Sequence, residues 1–172
     1  RVLTDAHADA TPWDTETFSM NITDENYFHL LQLANQEYSC SQILLQMTLD
    51  DQGKENQELI RAVGGLVGGL GYCGKLRGAL TSGACLLSLY AGKGSPDEVE
   101  DSRLNDMIAE LVQWFENTFG ARYGGTNCQD ILEGDYGNRV ERCPEILLQT
   151  QRKVHEILAA HSYDILTGRL EA

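Results

Sequence analysis

Positive charge is scarce in this chain: 13 Lys and Arg stand against 26 Asp and Glu, for a net charge of −13. A phosphate backbone demands a basic face, so nucleic acid is excluded as a partner and anionic membrane surfaces are disfavoured. Long apolar runs are missing too. The longest uncharged stretch, from Gly78 to Gly92, is short of the ~20 apolar residues a membrane span needs and is rich in Gly, Ala and Ser. Membrane insertion is therefore not expected. No segment alternates apolar and polar residues at strand period, which argues against β structure. There is no Cys-x-x-Cys pair, so a zinc ribbon or thioredoxin-like site has no local support, and no Cys-x-x-Cys-His, which excludes covalent c-type haem. Nothing forms a catalytic triad, a glycosidase carboxylate pair or a phosphate loop. The run Gly64 to Gly71 spaces its glycines somewhat like a dinucleotide fingerprint, but no strand precedes it.

What the chain has is helical periodicity, glycine and cysteine. Its 172 residues suit one domain with a real core. Residues 1–22 read as an N-terminal tail that docks through Trp13 and Phe18, and residues 23–172 as a single helical domain. Thr23 or Asp24 caps a long helix running to about Asp50, with apolar residues on two faces and Cys40 pointing inward from mid-helix. A second helix spans about Glu55 to Leu70 and a third Gly74 to Ala91, meeting at Tyr72-Cys73-Gly74. Ser95-Pro96-Asp97-Glu98 is a helix start signal. It introduces an amphipathic helix with Leu104, Met107, Ile108, Leu111, Phe115 and Phe119 on one face, stopped by Gly120. Residues 121–143 read as loop with one turn from Cys128 to Leu132. Pro144 opens a last helix, with Leu147, Val154, Leu158 and His161 sharing a face. The expected architecture is all-α, a compact bundle of about five helices with a glycine-rich central helix pair.

The five cysteines are an odd number, too widely spaced for a small disulfide scaffold. With no apolar leader after Arg1, a cytoplasmic, reducing location is the expectation, a removed upstream piece being left open. Cys73, Cys128 and Cys143 fall at expected helix starts, where free amides and the helix dipole favour a thiolate. Cys40 faces inward, and Cys85 lies mid-helix in the uncharged run as a packed thiol. The glycines Gly68, Gly69, Gly71, Gly74 and Gly78 either allow close helix packing or make room for a bound group.

The order and setting of these residues resemble the C-GCAxxG-C-C family, named for redox activity and marked by four cysteines and a Cys-Gly-Ala-x-x-Gly motif. The first cysteine is Cys40 in YSCSQILLQ, the motif is Cys73-Gly74-Lys75-Leu76-Arg77-Gly78, and the last two are Cys128 and Cys143. The resemblance covers residues 24–160. Lys75 stands where the motif has Ala, and Cys85 lies outside the pattern. The resemblance implies a redox protein of the kind found mostly in anaerobic microbes, with kinship to part of a haem-binding split-Soret cytochrome.

Three functions follow as expectations. In the first, Cys40, Cys73, Cys128 and Cys143 hold an iron–sulfur cluster for electron transfer, inside glycine-rich walls, with Cys85 or Asp130 as accessory. In the second, the same thiols exchange with disulfides as a redox protein or sensor. In the third, the bundle is a non-catalytic partner subunit with structural metal. Non-covalent haem through His29, His155 or His161 is less favoured. A redox partner protein is implied, and glycine-lined helix faces suit a homodimer as well as a monomer.

Overall fold

A computed structural model describes residues 25–167, and the expected tail with Trp13 and Phe18 lies outside them. The described residues form helices joined by turns and loops, with no strand; Leu76 and Asn127 form an isolated antiparallel bridge. Seven α-helices of five or more residues replace the expected five: α1 Glu25–Asn35, α2 Cys40–Asp51, α3 Gln57–Val63, α4 Gly78–Ala91, α5 Leu104–Phe115, α6 Cys128–Leu132 and α7 Arg139–Ala160. No helix of the described residues is long and apolar enough to cross a membrane.

The uncharged run becomes the axis of the fold. Helix α4 buries Ala79, Leu80, Ser82, Gly83, Leu86, Leu87, Tyr90 and Ala91, and packs against α2, α5 and α7. It carries no charge on any side because neighbours cover most of it, Leu89 being its one exposed residue. Gly83 is what lets it sit so close: a Cβ there would lie 2.8 Å from Leu111 Cδ2 and 3.2 Å from Thr150 Cγ2. Buried hydroxyls pin the next layer. Ser82 donates to the Ser41 carbonyl at 3.0 Å, and Ser41 donates to the Val63 carbonyl at 2.8 Å. Each satisfies a polar group that would otherwise be costly to bury.

Several expected boundaries move, each for a local reason. The long first helix is two helices. Glu37 turns left-handed (φ 65°), and the Gln42 carboxamide reaches back to accept from Ser39 N at 3.0 Å, which starts α2 afresh. Cys40 is therefore the first residue of a helix, not a mid-helix residue. The glycine-rich central helix pair does not form. Helix α3 ends at Val63, a 3₁₀ turn covers Gly64–Leu66, and Gly68 to Gly74 fold as a loop with φ near +60° to +75° at Gly68, Gly69, Leu70, Gly71, Tyr72 and Gly74. Its amides bond five and six residues back, as in Tyr72 N to Val67 O at 3.0 Å and Gly74 N to Gly68 O at 3.1 Å. Glycine density there serves left-handed backbone rather than helix packing.

Ser95-Pro96-Asp97-Glu98 closes a turn, with Gly94 N donating to Glu98 Oε2 at 2.7 Å. Helix α5 starts at Leu104, where Asp101 accepts from Arg103 N. The chain does not stop at Gly120. A π turn over Glu116–Gly120 carries it through Ala121–Tyr123 to Gly124, which takes the left-handed cap (φ 75°). Helix α7 begins at Arg139, fed by a 3₁₀ turn at Tyr136–Asn138, so Pro144 lies inside it and Cys143 is not its cap. Pro144 leaves the Val140 carbonyl without its helical donor, and Val140 is 73 % exposed, where water can supply one. His161 is the C-cap of α7.

Candidate functional site

The cysteine motif folds as a clasp around the start of α6. Gly74 is left-handed (φ 71°) and its carbonyl accepts from Gln129 N at 3.1 Å, while the Lys75 carbonyl accepts from Cys128 N at 2.8 Å. Two amides at the start of α6, free of intrahelical partners, are thus satisfied by the motif backbone. Lys75 itself is exposed, so the cation at the motif's Ala position faces solvent. The clasp ends at Arg77 and Gly78. Arg77 is the N-cap of α4, and Gly78 its first residue.

Gly78 is where sulfurs gather. A Cβ on it would lie 2.7 Å from Cys40 Sγ, so only glycine admits the Cys40 thiol at this distance. The Gly78 amide also acts on the Cys128 thiol as a hydrogen-bond donor. One residue back, Arg77 Nη2 donates to Cys143 Sγ at 2.8 Å. Cys40, Cys128, Cys143 and Arg77 line one cavity of about 450 Å³, which α1 closes with Leu30, Leu31 and Ala34. Tyr136, Arg139 and Val140 stand on its other side.

Cys73 lies elsewhere. It is exposed in the left-handed loop, not next to a helix start as expected, and lines a second, shallower cleft of about 460 Å³. Cys128, Gly68, Leu132 and Tyr136 line both cavities, so the two share a wall. The Tyr72 and Tyr136 rings meet edge to face at 5.4 Å at this wall. Burial, helped by the Tyr72 hydroxyl, pushes the Tyr136 phenol up to about 12, so it stays protonated at neutral pH.

The electrostatics oppose each other. Burial pushes the Cys128 and Cys143 thiols up, while the Arg77 charge pulls both down. Arg77 is 1 % exposed, and its Nε and Nη1 have no partner. No carboxylate pairs with it among the described residues. At the second wall, Arg139 stacks over the Tyr136 ring at 4.4 Å.

Of the other expected residues, Gly68 lines both clefts and Gly74 the shallower one, whereas Gly69 and Gly71 shape the loop without lining either. Cys85 sits half-buried in α4, its thiol pushed up by burial, away from both cavities. Asp130 lines neither: it accepts from Asn127 N and closes the capping box of α6. His29 pairs with Asp50 at 2.8 Å, and no histidine lines either cavity. Among the described residues no three Cys, His, Asp or Glu side chains converge on a point where one metal ion could sit. Arg77 was not singled out from the sequence. Its one signal was position, the last charge before the fifteen-residue uncharged run from Gly78 to Gly92.

Fold and site together define a class: an all-helical domain that brings cysteines from three separate helices around a buried arginine. The chain matches the family model described as "Putative redox-active protein (C_GCAxxG_C_C)" over residues 38–157, well over half its length, and it belongs to that family. No curated protein and no solved structure matches the chain.

Proposed function

We propose that this chain is an electron-transfer protein in which Cys40, Cys128 and Cys143 hold an iron–sulfur cluster, with Cys73 as the fourth ligand from across the wall that its cleft shares with their cavity. The observation that carries this reading is the single cavity in which three sulfurs from α2, α6 and α7 face a buried guanidinium. Thiolates are the soft donors such clusters take. A structural zinc needs four donors meeting at one point, a convergence the described residues lack. A cluster spreads its cysteine ligands over two or more irons, so its ligand sulfurs stand farther apart around a cavity than those on a single zinc ion. Arg77, with Nε and Nη1 unpartnered, suits a group of net negative charge. When bound, the cluster supplies one-electron chemistry. The chain's own residues exclude water from it with Leu30, Leu31, Ile43 and Leu147, and leave Tyr72, Tyr136 and Val140 exposed nearby for a redox partner protein.

The test is anaerobic purification with iron and acid-labile sulfide analysis and a visible spectrum. Stoichiometric iron and sulfide, lost in Cys40→Ala, Cys128→Ala and Cys143→Ala variants, support the reading. A colourless, metal-free protein refutes it.

A second reading draws on one observation, the exposed Cys73 sharing a cleft with the buried Cys128. In it, the Cys73 thiolate attacks a partner disulfide, and the Cys128 thiolate then displaces the partner. Cys73 and Cys128 lose two electrons to become a disulfide, and the partner's disulfide becomes two thiols. Titratable thiols would fall by two on mild oxidation; an unchanged count rules this out.

A further inference from the structure

Arg77 is a cation in the wrong place for a cation. It is 1 % exposed, has no acidic partner among the described residues, and its Nε and Nη1 nitrogens have nothing to donate to. Its one side-chain bond runs to a sulfur, Cys143 Sγ, at 2.8 Å. The other sulfurs of the cavity, Cys40 and Cys128, lie against Gly78, the next residue along the chain. A buried charge without a counter-charge is strongly unfavourable, and neutral thiols do little to offset it. What offsets it is negative charge inside the cavity.

We infer that Arg77 is the counter-cation of the cysteine cavity, a positioning residue that holds Cys143 and favours the more negative, reduced state of the group bound there. This rests on the cluster reading. Adding an electron to a sulfur-ligated cluster makes it more negative whatever its type, and a fixed guanidinium at its edge stabilises that state over the oxidised one. Because the Arg77 side chain is buried and bonded to Cys143 Sγ, its charge stays in the cavity rather than in water. The same placement makes the empty, reduced chain the form in which Arg77 is worst satisfied.

The experiment compares Arg77→Met and Arg77→Lys with the wild type in two states. In the iron-loaded proteins, redox titration reads the midpoint potential. Arg77→Met shifts the oxidised-to-reduced ratio at fixed poise at least tenfold toward oxidised, ~59 mV for one electron, and Arg77→Lys falls between. In the metal-free, reduced proteins, thermal melting of Arg77→Met occurs at or above the wild type, because an unpaired buried charge has been removed. A midpoint unchanged in Arg77→Met overturns the inference. So does a metal-free Arg77→Met that melts well below the wild type, since Arg77 would then be a structural residue. If the wild type binds no iron, the cluster reading fails on its own, and the melting comparison still decides the placing of Arg77.

Discussion

Replacing Gly78 by Ala tests whether the sulfur cavity is built as described. The added Cβ would lie 2.7 Å from Cys40 Sγ, 3.3 Å from the Leu66 carbonyl oxygen and 3.4 Å from Ser41 Cβ. The approach to the sulfur is too close for any real Cβ and the one to the Leu66 carbonyl oxygen is tight, so neighbours must shift to admit the methyl. Overpacking of a dense core costs about 1–3 kcal/mol, and the gain from replacing Gly with Ala in a helix interior is at most about 1 kcal/mol. That gain is smaller at Gly78, the first residue of α4. The expected net loss is therefore about 1–2 kcal/mol, read as a lower urea midpoint at unchanged m-value. The decisive arm is a double-mutant cycle with Cys40→Ala. Removing the sulfur removes the 2.7 Å contact and leaves only the two milder ones. Gly78→Ala should then cost only a few tenths of a kcal/mol, giving a coupling of about 1 kcal/mol or more, within the range for residues in contact. In the otherwise wild-type chain, Gly78→Ala also displaces the Cys40 sulfur, so bound iron should fall. Equal cost in both backgrounds, or a stabilised Gly78→Ala protein, would refute the placement of Cys40 against the motif.

Two further outcomes follow from the electrostatics. In the reduced, metal-free protein near neutral pH, iodoacetamide should alkylate the exposed Cys73 about tenfold faster than Cys85, Cys128 or Cys143, whose burial pushes their thiols up. Peptide mass spectrometry reads the order, and equally rapid labelling of Cys128 would contradict the described cavity. Asp101 accepts from Arg103 N, Nε and Nη2 and from the Tyr163 hydroxyl at 2.6 Å. The Arg103 bonds first, then Tyr163, hold its carboxyl well below the usual range. Its folded value is depressed, so its contribution is present above the unfolded value of ~3.9 and is lost as pH falls below that. Asp101→Asn should lower the urea midpoint at neutral pH, and the gap from the wild type should close only in acid below about pH 4. A gap that closes at higher pH would place the stabilisation in another group.

How much was legible in the sequence depends on the distance over which each feature is decided. The absence of strand alternation, the scarcity of cations and the helical stripes of α5 and α7 are local patterns, and the all-helical class and the buried, uncharged α4 follow from them directly. The cysteine motif and its two downstream partners were visible as spacing, enough to assign the family. Glycine was the ambiguous letter. It weakens a helix and permits a left-handed turn by the same lack of a side chain, and the sequence does not say which use Gly68 to Gly74 serve. Cys40 likewise moved from mid-helix to helix start because Glu37 adopts a left-handed backbone that no local pattern required. Which cysteines share a cavity was decided by tertiary structure alone. Cys40, Cys128 and Cys143 line one cavity because α4 carries Arg77 and Gly78 to the place where the starts of α2 and α6 and the second turn of α7 also arrive, and Cys73 stays outside because its loop turns back on itself. Arg77 had no helical or strand period to mark it. Its meaning lies in what surrounds it, sulfur and no carboxylate, and only the assembled packing of four separate segments could supply those surroundings.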